Sequence, residues 1–130
     1  MTTKTFPNLS QHCGSLKRFR YGFMKSFLFT EGVQDLAEQA GAYWLIDLVA
    51  SHQVVPKVKR EPFQLWSLRK LPEGAKNAAV AECRRDSGEK AICKQLIPYT
   101  DFPFPSGDVF EWYVCDNEIG GKTMLLKSEY

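Results

Sequence analysis

The sequence predicts an α+β domain. It reads as an N-terminal extended segment, then one kinked helix or helix pair over about residues 30–53, then a four- to five-stranded antiparallel sheet packed on the helix. Three changes of pattern carry this expectation. Aromatic residues recur with period two up to residue 29. From Thr30 the apolar residues fall at helical spacing. After Pro62 the chain alternates in short runs divided by turn residues. The chain has 130 residues, a net charge of +2 and 44% hydrophobic content, which suits one domain with one core.

Residues 1–15 hold Pro7, Asn8, Ser10 and Gly14 with few apolar residues, and read as a mobile lead-in. In the extended segment 16–29, Phe19, Tyr21, Phe23, Phe27 and Phe29 all occupy odd positions. Arg18, Arg20, Gly22 and Ser26 lie between them. Side chains alternate faces along a strand, so the aromatics gather on one side. Thr30 suits a helix N-cap, and Glu31 suits the positive first turn. Val33, Leu36, Ala37 and Ala40 form one helical face, and Gly41 marks a stop or a kink. The run from Ala42 to Ala50 is apolar almost all round, as a buried central helix would be. Pro56 and Pro62 bracket a basic linker, Lys57-Val58-Lys59-Arg60, read as outside any helix interior. Strands are expected over 63–69, 78–85, 89–97, 109–115 and 122–127, with turns at Pro72-Glu73-Gly74, Asp86-Ser87-Gly88 and 116–121.

Charge is arranged in blocks. Residues 1–30 and 57–100 are basic, and 31–56 and 101–130 are acidic. Internal pairing of the blocks is the simpler reading, and a basic face opposite an acidic face is the sharper one. Lys17, Arg18, Arg20 and Lys25 interleave with aromatics, and Lys57, Lys59 and Arg60 add a second basic segment. Such a mixture can hold phosphates and stack bases. Period two argues against it, because it puts the two groups on opposite sides.

Asp47 interrupts the apolar run, so part of it is expected to be withdrawn from water. One reading makes it a site acid beside Tyr43 or His52. The other makes it an ion-pair partner of Arg69 or Arg84, or a water-facing residue beyond a kink at Gly41. Gly120-Gly121-Lys122-Thr123 lacks the spacing of a phosphate loop and reads as a hairpin turn. The four cysteines show no metal-ligand spacing, and no cofactor is implied. A turn at Ser87-Gly88 sets Cys83 opposite Ile92 and sends Cys93 to the other face, which argues against a disulfide. No run approaches the length of a membrane span, and the N-terminus does not resemble a secretory signal. A cytoplasmic chain with reduced thiols is expected.

Several blocks then stand together: Phe29-Thr30-Glu31-Gly32-Val33, Gly41-Ala42-Tyr43-Trp44-Leu45-Ile46-Asp47, Phe63-Gln64-Leu65-Trp66, Ile97-Pro98-Tyr99-Thr100-Asp101-Phe102-Pro103 and Ser128-Glu129-Tyr130. With these the chain resembles a family of small uncharacterised bacterial proteins, met also on plasmids and phages. The resemblance covers most of residues 16–130. The linker 57–60 and the loop Pro103-Phe104-Pro105-Ser106-Gly107 depart from it. It implies a cytosolic accessory protein, with a mobile element as one source, and carries over no catalytic residue. The expected function is therefore non-enzymatic binding of another protein, with Trp66 and Trp112 as candidate surface aromatics. Nucleic-acid binding through the two basic segments is the alternative, and a small enzyme around Tyr43, Asp47 and His52 is the third reading. A homodimer through an exposed edge strand stays open.

Overall fold

The computed structural model describes residues 5–12, 17–22, 24–72 and 77–130. The ring of Phe23, the thiol of Cys13, the expected turn at Glu73-Gly74 and the lead-in residues 1–4 and 13–15 lie outside the described residues. The chain runs β1 (Arg18–Tyr21), β2 (Met24–Thr30), α1 (Glu31–Ala40), α2 (Tyr43–His52), α3 (Pro56–Lys59), β3 (Phe63–Lys70), β4 (Ala79–Arg84), β5 (Cys93–Ile97), β6 (Val109–Asp116) and β7 (Lys122–Leu126). It closes on a 3-10 turn, Lys127–Glu129.

The helical region is a pair of helices. The Thr30 hydroxyl accepts the Val33 amide at 3.3 Å and caps α1. Gly41, at φ 62°, ends α1 in the left-handed conformation that glycine adopts without a steric penalty. Pro56 does not exclude helix from the basic linker. It occupies the first turn of α3, where its missing N–H costs nothing, and Val58 of that turn is fully buried.

The four- to five-stranded antiparallel sheet is corrected by the structure. Among the described residues the sheet is mixed and has seven strands, in the order β1-β2-β7-β6-β3-β4-β5. The extended N-terminal segment supplies the two extra strands. β1 and β2 form an antiparallel hairpin, and β2 joins β7 in parallel, with Phe27 beside Lys122 and Phe29 beside Met124. Period two is the same in either orientation, so the local pattern carries no information about this distant partner.

One face of the sheet carries the described α-helices. The buried residues Val33, Leu36, Leu45, Val49 and Val58 share one cluster with Phe27, Trp66, Leu68, Trp112 and Met124. The segment expected to be buried all round keeps an outer stripe at Tyr43, Asp47 and Ser51. Residues 5–12 also dock on the molecule: the Phe6 ring lies 5.3 Å from that of Phe110, and His12 Nε2 lies 2.9 Å from Asp35.

The C-terminus is tied to the start of α1. The buried Glu129 carboxylate accepts the Thr30 hydroxyl at 2.6 Å, the Gly32 amide at 3.1 Å and the Leu126 amide at 2.9 Å. Negative charge at a helix N-terminus is favourable, and charged hydrogen bonds are the strong ones. Gly32 is required by this contact, because a Cβ there would lie 2.7 Å from the Glu129 carboxyl carbon. Glu129→Ala is expected to cost about 3 kcal/mol, since it strands three buried donors. Urea denaturation of the variant measures this, and Gly32→Ala should lower the midpoint as well.

Candidate functional site

The three polar residues singled out on α2 do not converge. Tyr43 donates to Glu38 at 2.8 Å, Asp47 accepts from Tyr21 at 2.7 Å, and His52 Nε2 lies 2.7 Å from Gln95 Oε1. Asp47 is exposed, so the expected withdrawal from water is corrected. It takes the water-facing position, and Arg69 and Arg84 pair with Glu82 instead. The hydrogen bond to Asp47 raises the Tyr21 hydroxyl above its ordinary value, with burial and the carboxylate charge adding to it.

The basic residues are spread over two regions. Arg18 pairs with Glu118, and Lys17 stands 5.5 Å over the Phe19 ring. Arg20 and Lys25 are exposed on the N-terminal hairpin, and Lys57, Lys59 and Arg60 are exposed at α3. Among the described aromatics of that hairpin, Phe27 is in the core, Tyr21 and Phe29 pack against it, and Phe19 stacks on Phe29 at 5.7 Å. Apart from Lys17 over Phe19, the described basic side chains and aromatic rings do not share one surface there.

A cleft of about 400 Å³ opens where the end of α2, α3 and the β6–β7 turn meet the start of β2. Met24, Ser26, Gln53, Lys59, Asn117 and Lys122 are among its lining residues. Its inner polar groups already have protein partners. Lys122 Nζ donates to the Glu61 carbonyl at 2.8 Å and pairs with Asp116. Asn117 accepts the Gly121 amide at 2.9 Å and donates to the Ser26 carbonyl at 2.9 Å. Gly121 is pressed so closely on β2 that a Cβ would overlap the Ser26 carbonyl. The Gly120-Gly121 segment is therefore a hairpin turn clamped to β2.

Behind the cleft lies a buried polar hub that the periodicity did not reveal. The Gln64 amide donates to Gln53 Oε1 at 2.9 Å and to the Val58 carbonyl at 3.0 Å. Its oxygen accepts Gln53 Nε2 at 2.9 Å and Trp66 Nε1 at 2.8 Å. Cys83 Sγ is 3.9 Å from the same oxygen. Trp66 and Trp112 are 1% and 0% exposed, so their reading as surface aromatics is corrected. They face the helices and stack at 6.1 Å.

The pairing of the thiols is corrected too. Cys83 stands directly opposite Cys93, not opposite Ile92. The connection between β4 and β5 spans residues 85–92 and is no tight turn. A shift of one residue in register changes which face a side chain takes. Cys83, Cys93 and Cys115 are free thiols.

The second face of the sheet carries no helix among the described residues. Leu28, Leu65 and Leu125 lie there, buried but outside the main cluster. On the same face, with Tyr113 between Leu65 and Leu125 in the register, is a ring triad: Phe63 is 4.9 Å from Tyr113 and 5.4 Å from Tyr130, and Tyr113 is 5.3 Å from Tyr130. Tyr130 is 75% exposed. Further across the face, the buried Glu82 carboxylate meets Arg84 at 3.1 Å, Arg69 at 3.4 Å and Lys94 at 3.6 Å. The sequence signal for this surface was the odd-numbered series Phe63, Leu65 and Ser67, whose side of the sheet the pattern could not assign.

These features define a small α+β domain with helices on one face of a mixed sheet. The chain belongs to a family of unknown function (DUF6876), whose model matches residues 3–130. No curated protein matches it. No solved structure matches it. Among the described residues no helix is long and apolar enough to cross a membrane.

Two carboxylates set an acid limit on stability. Hydrogen bonds from Gln39 and then His12 hold Asp35 below its ordinary value. Burial works to raise Glu82, but Arg84, Arg69 and Lys94 outweigh it and hold this group low as well. A depressed folded pKa contributes stability above the unfolded value of about 4, and that stability is lost as pH falls through the folded value. The thermal midpoint should therefore drop below about pH 4, and Glu82→Gln should make the drop shallower. A pH series of calorimetric scans tests this.

Proposed function

We propose that the chain is a non-enzymatic accessory domain that binds another protein through the second face of its sheet. The observation that carries this reading is the triad of Phe63, Tyr113 and Tyr130 on the sheet face shared with Leu28, Leu65 and Leu125, which no described helix covers. Tyrosine is enriched at binding hot spots, and apolar patches rimmed by polar groups mark interaction sites. Glu82 neutralises much of the nearby basic charge, so the patch suits an apolar protein surface better than a phosphate backbone. Leu96, exposed on the same face at the β5 edge, extends the patch. A cytosolic setting and a bacterial mobile element as source belong to the same proposal and rest on the sequence resemblance.

A photo-cross-linking residue in place of Tyr113, expressed in the native cell, tests the reading. One adduct of defined mass is expected. Tyr130→Ala should weaken the affinity of the identified partner for the purified chain by about tenfold, or roughly 1.4 kcal/mol. Adducts only between copies of this chain would replace the proposal with a homodimer. Binding to a single-stranded oligonucleotide that falls steeply with salt would favour the basic segments instead.

A further inference from the structure

We propose that Cys93 is a hydroperoxide-reactive thiol and that Cys83 is its resolving partner, so that oxidation closes a cross-strand disulfide between β4 and β5. The two residues are direct partners in the antiparallel ladder. Such partners have Cα atoms about 4.5 or 5.5 Å apart, inside the range of about 4.4–6.8 Å that a disulfide needs. Their Cβ atoms stand about 4.5–5.5 Å apart, whereas a disulfide draws them to about 3.5–4.5 Å. Closure must therefore pull β5 inward. β5 ends the sheet and has a strand neighbour on one side only, so this movement breaks no second ladder. A bond closed at the cost of such movement belongs with labile, switchable disulfides.

The surroundings distinguish the two sulfurs. Cys83 is 0% exposed and feels the Glu61 carboxylate, while Cys93 is 9% exposed on the edge strand, with His52 and Lys57 on its side. The Gln64 oxygen, which accepts from Gln53 and Trp66 at shorter range, lies 3.9 Å from Cys83 Sγ, and Cys93 stands across the ladder, so both are within reach of the Cys83 thiol. The interaction between the two thiols lowers Cys93 and raises Cys83, so Cys93 is the one that ionises more readily.

The chemistry balances with hydrogen peroxide as oxidant. The Cys93 thiolate attacks one peroxide oxygen; an S–O bond forms, the O–O bond breaks, and hydroxide leaves to become water on taking up a proton. Cys83 sulfur then attacks the sulfenic sulfur. The S–S bond forms, the S–O bond breaks, and the Cys83 proton leaves with the oxygen as a second water. The two thiols lose two electrons and the peroxide gains them.

The experiment treats the reduced full chain with stepwise hydrogen peroxide, blocks remaining thiols by alkylation and maps peptides by mass spectrometry. A Cys83–Cys93 linkage is expected before Cys13 or Cys115 is modified. Cys83→Ser should leave Cys93 as a sulfenic acid that dimedone captures, and Cys93→Ser should slow peroxide consumption by at least about tenfold. In the unmutated chain, which depends on no variant folding, iodoacetamide should modify Cys93 with a pH midpoint below the ordinary thiol value of about 8.5. An ordinary midpoint there, earlier oxidation of Cys13 or Cys115, or any other pairing overturns the proposal.

Discussion

The parallel contact between β2 and β7, closed by the Glu129 carboxylate, is the constraint on which the rest of the molecule depends. Without it the sheet would be two pieces: an N-terminal hairpin and a five-stranded antiparallel set, β7-β6-β3-β4-β5. The contact joins residues about a hundred positions apart. It needs three groups at one point. Thr30 ends β2 and caps α1, Gly32 leaves room, and Glu129 arrives on the last turn of the chain. A carboxylate in this place meets the free amides and the positive end of α1 together. The same residues that start the helix therefore also fix the edge of the sheet to the C-terminus.

A second constraint holds the other half. Gln64 would be costly in a core if its amide were unsatisfied. It is tolerable because Gln53 from the end of α2, the Val58 carbonyl from α3 and Trp66 from its own strand meet all its needs. This network sets where α2 ends over the sheet. It also brings His52 within 5.6 Å of the Trp66 ring, close to the thiol pair. The polar hub, the thiols and the cleft beside Lys122 are thus neighbouring consequences of one helix-to-sheet junction.

The two faces of the sheet have separate physical roles. The inner face buries Trp66 and Trp112, the largest side chains of β3 and β6, against the helices. The outer face carries buried aliphatics beside the rings of Phe63, Tyr113 and Tyr130. Tryptophans that sequence reasoning would offer to a partner are spent on the core. The tyrosines left outside are amphipathic, so they can stay in water and still contribute apolar area to a contact.

Much of the local structure was legible in residue order. Period two up to residue 29, the Thr30 cap, the Gly41 stop and the alternation after Pro62 each act through the backbone within a few residues, and strands and two helices formed there, while α3 arose in the linker expected to lie outside a helix. What the order of residues could not decide was which distant elements meet. Strand pattern is blind to parallel or antiparallel pairing, so the N-terminal hairpin was not counted in the sheet. A loop longer than a tight turn does not declare its register, so Cys93 was assigned to the wrong face. Alternation separates Phe63 from Trp66 but does not say which side the helices cover. The exposure of Asp47, the satisfaction of Gln64 and the neighbourhood of the thiols follow from those long-range choices. Only the packed tertiary structure makes them, because the free energy that selects them comes from surfaces far apart in the chain.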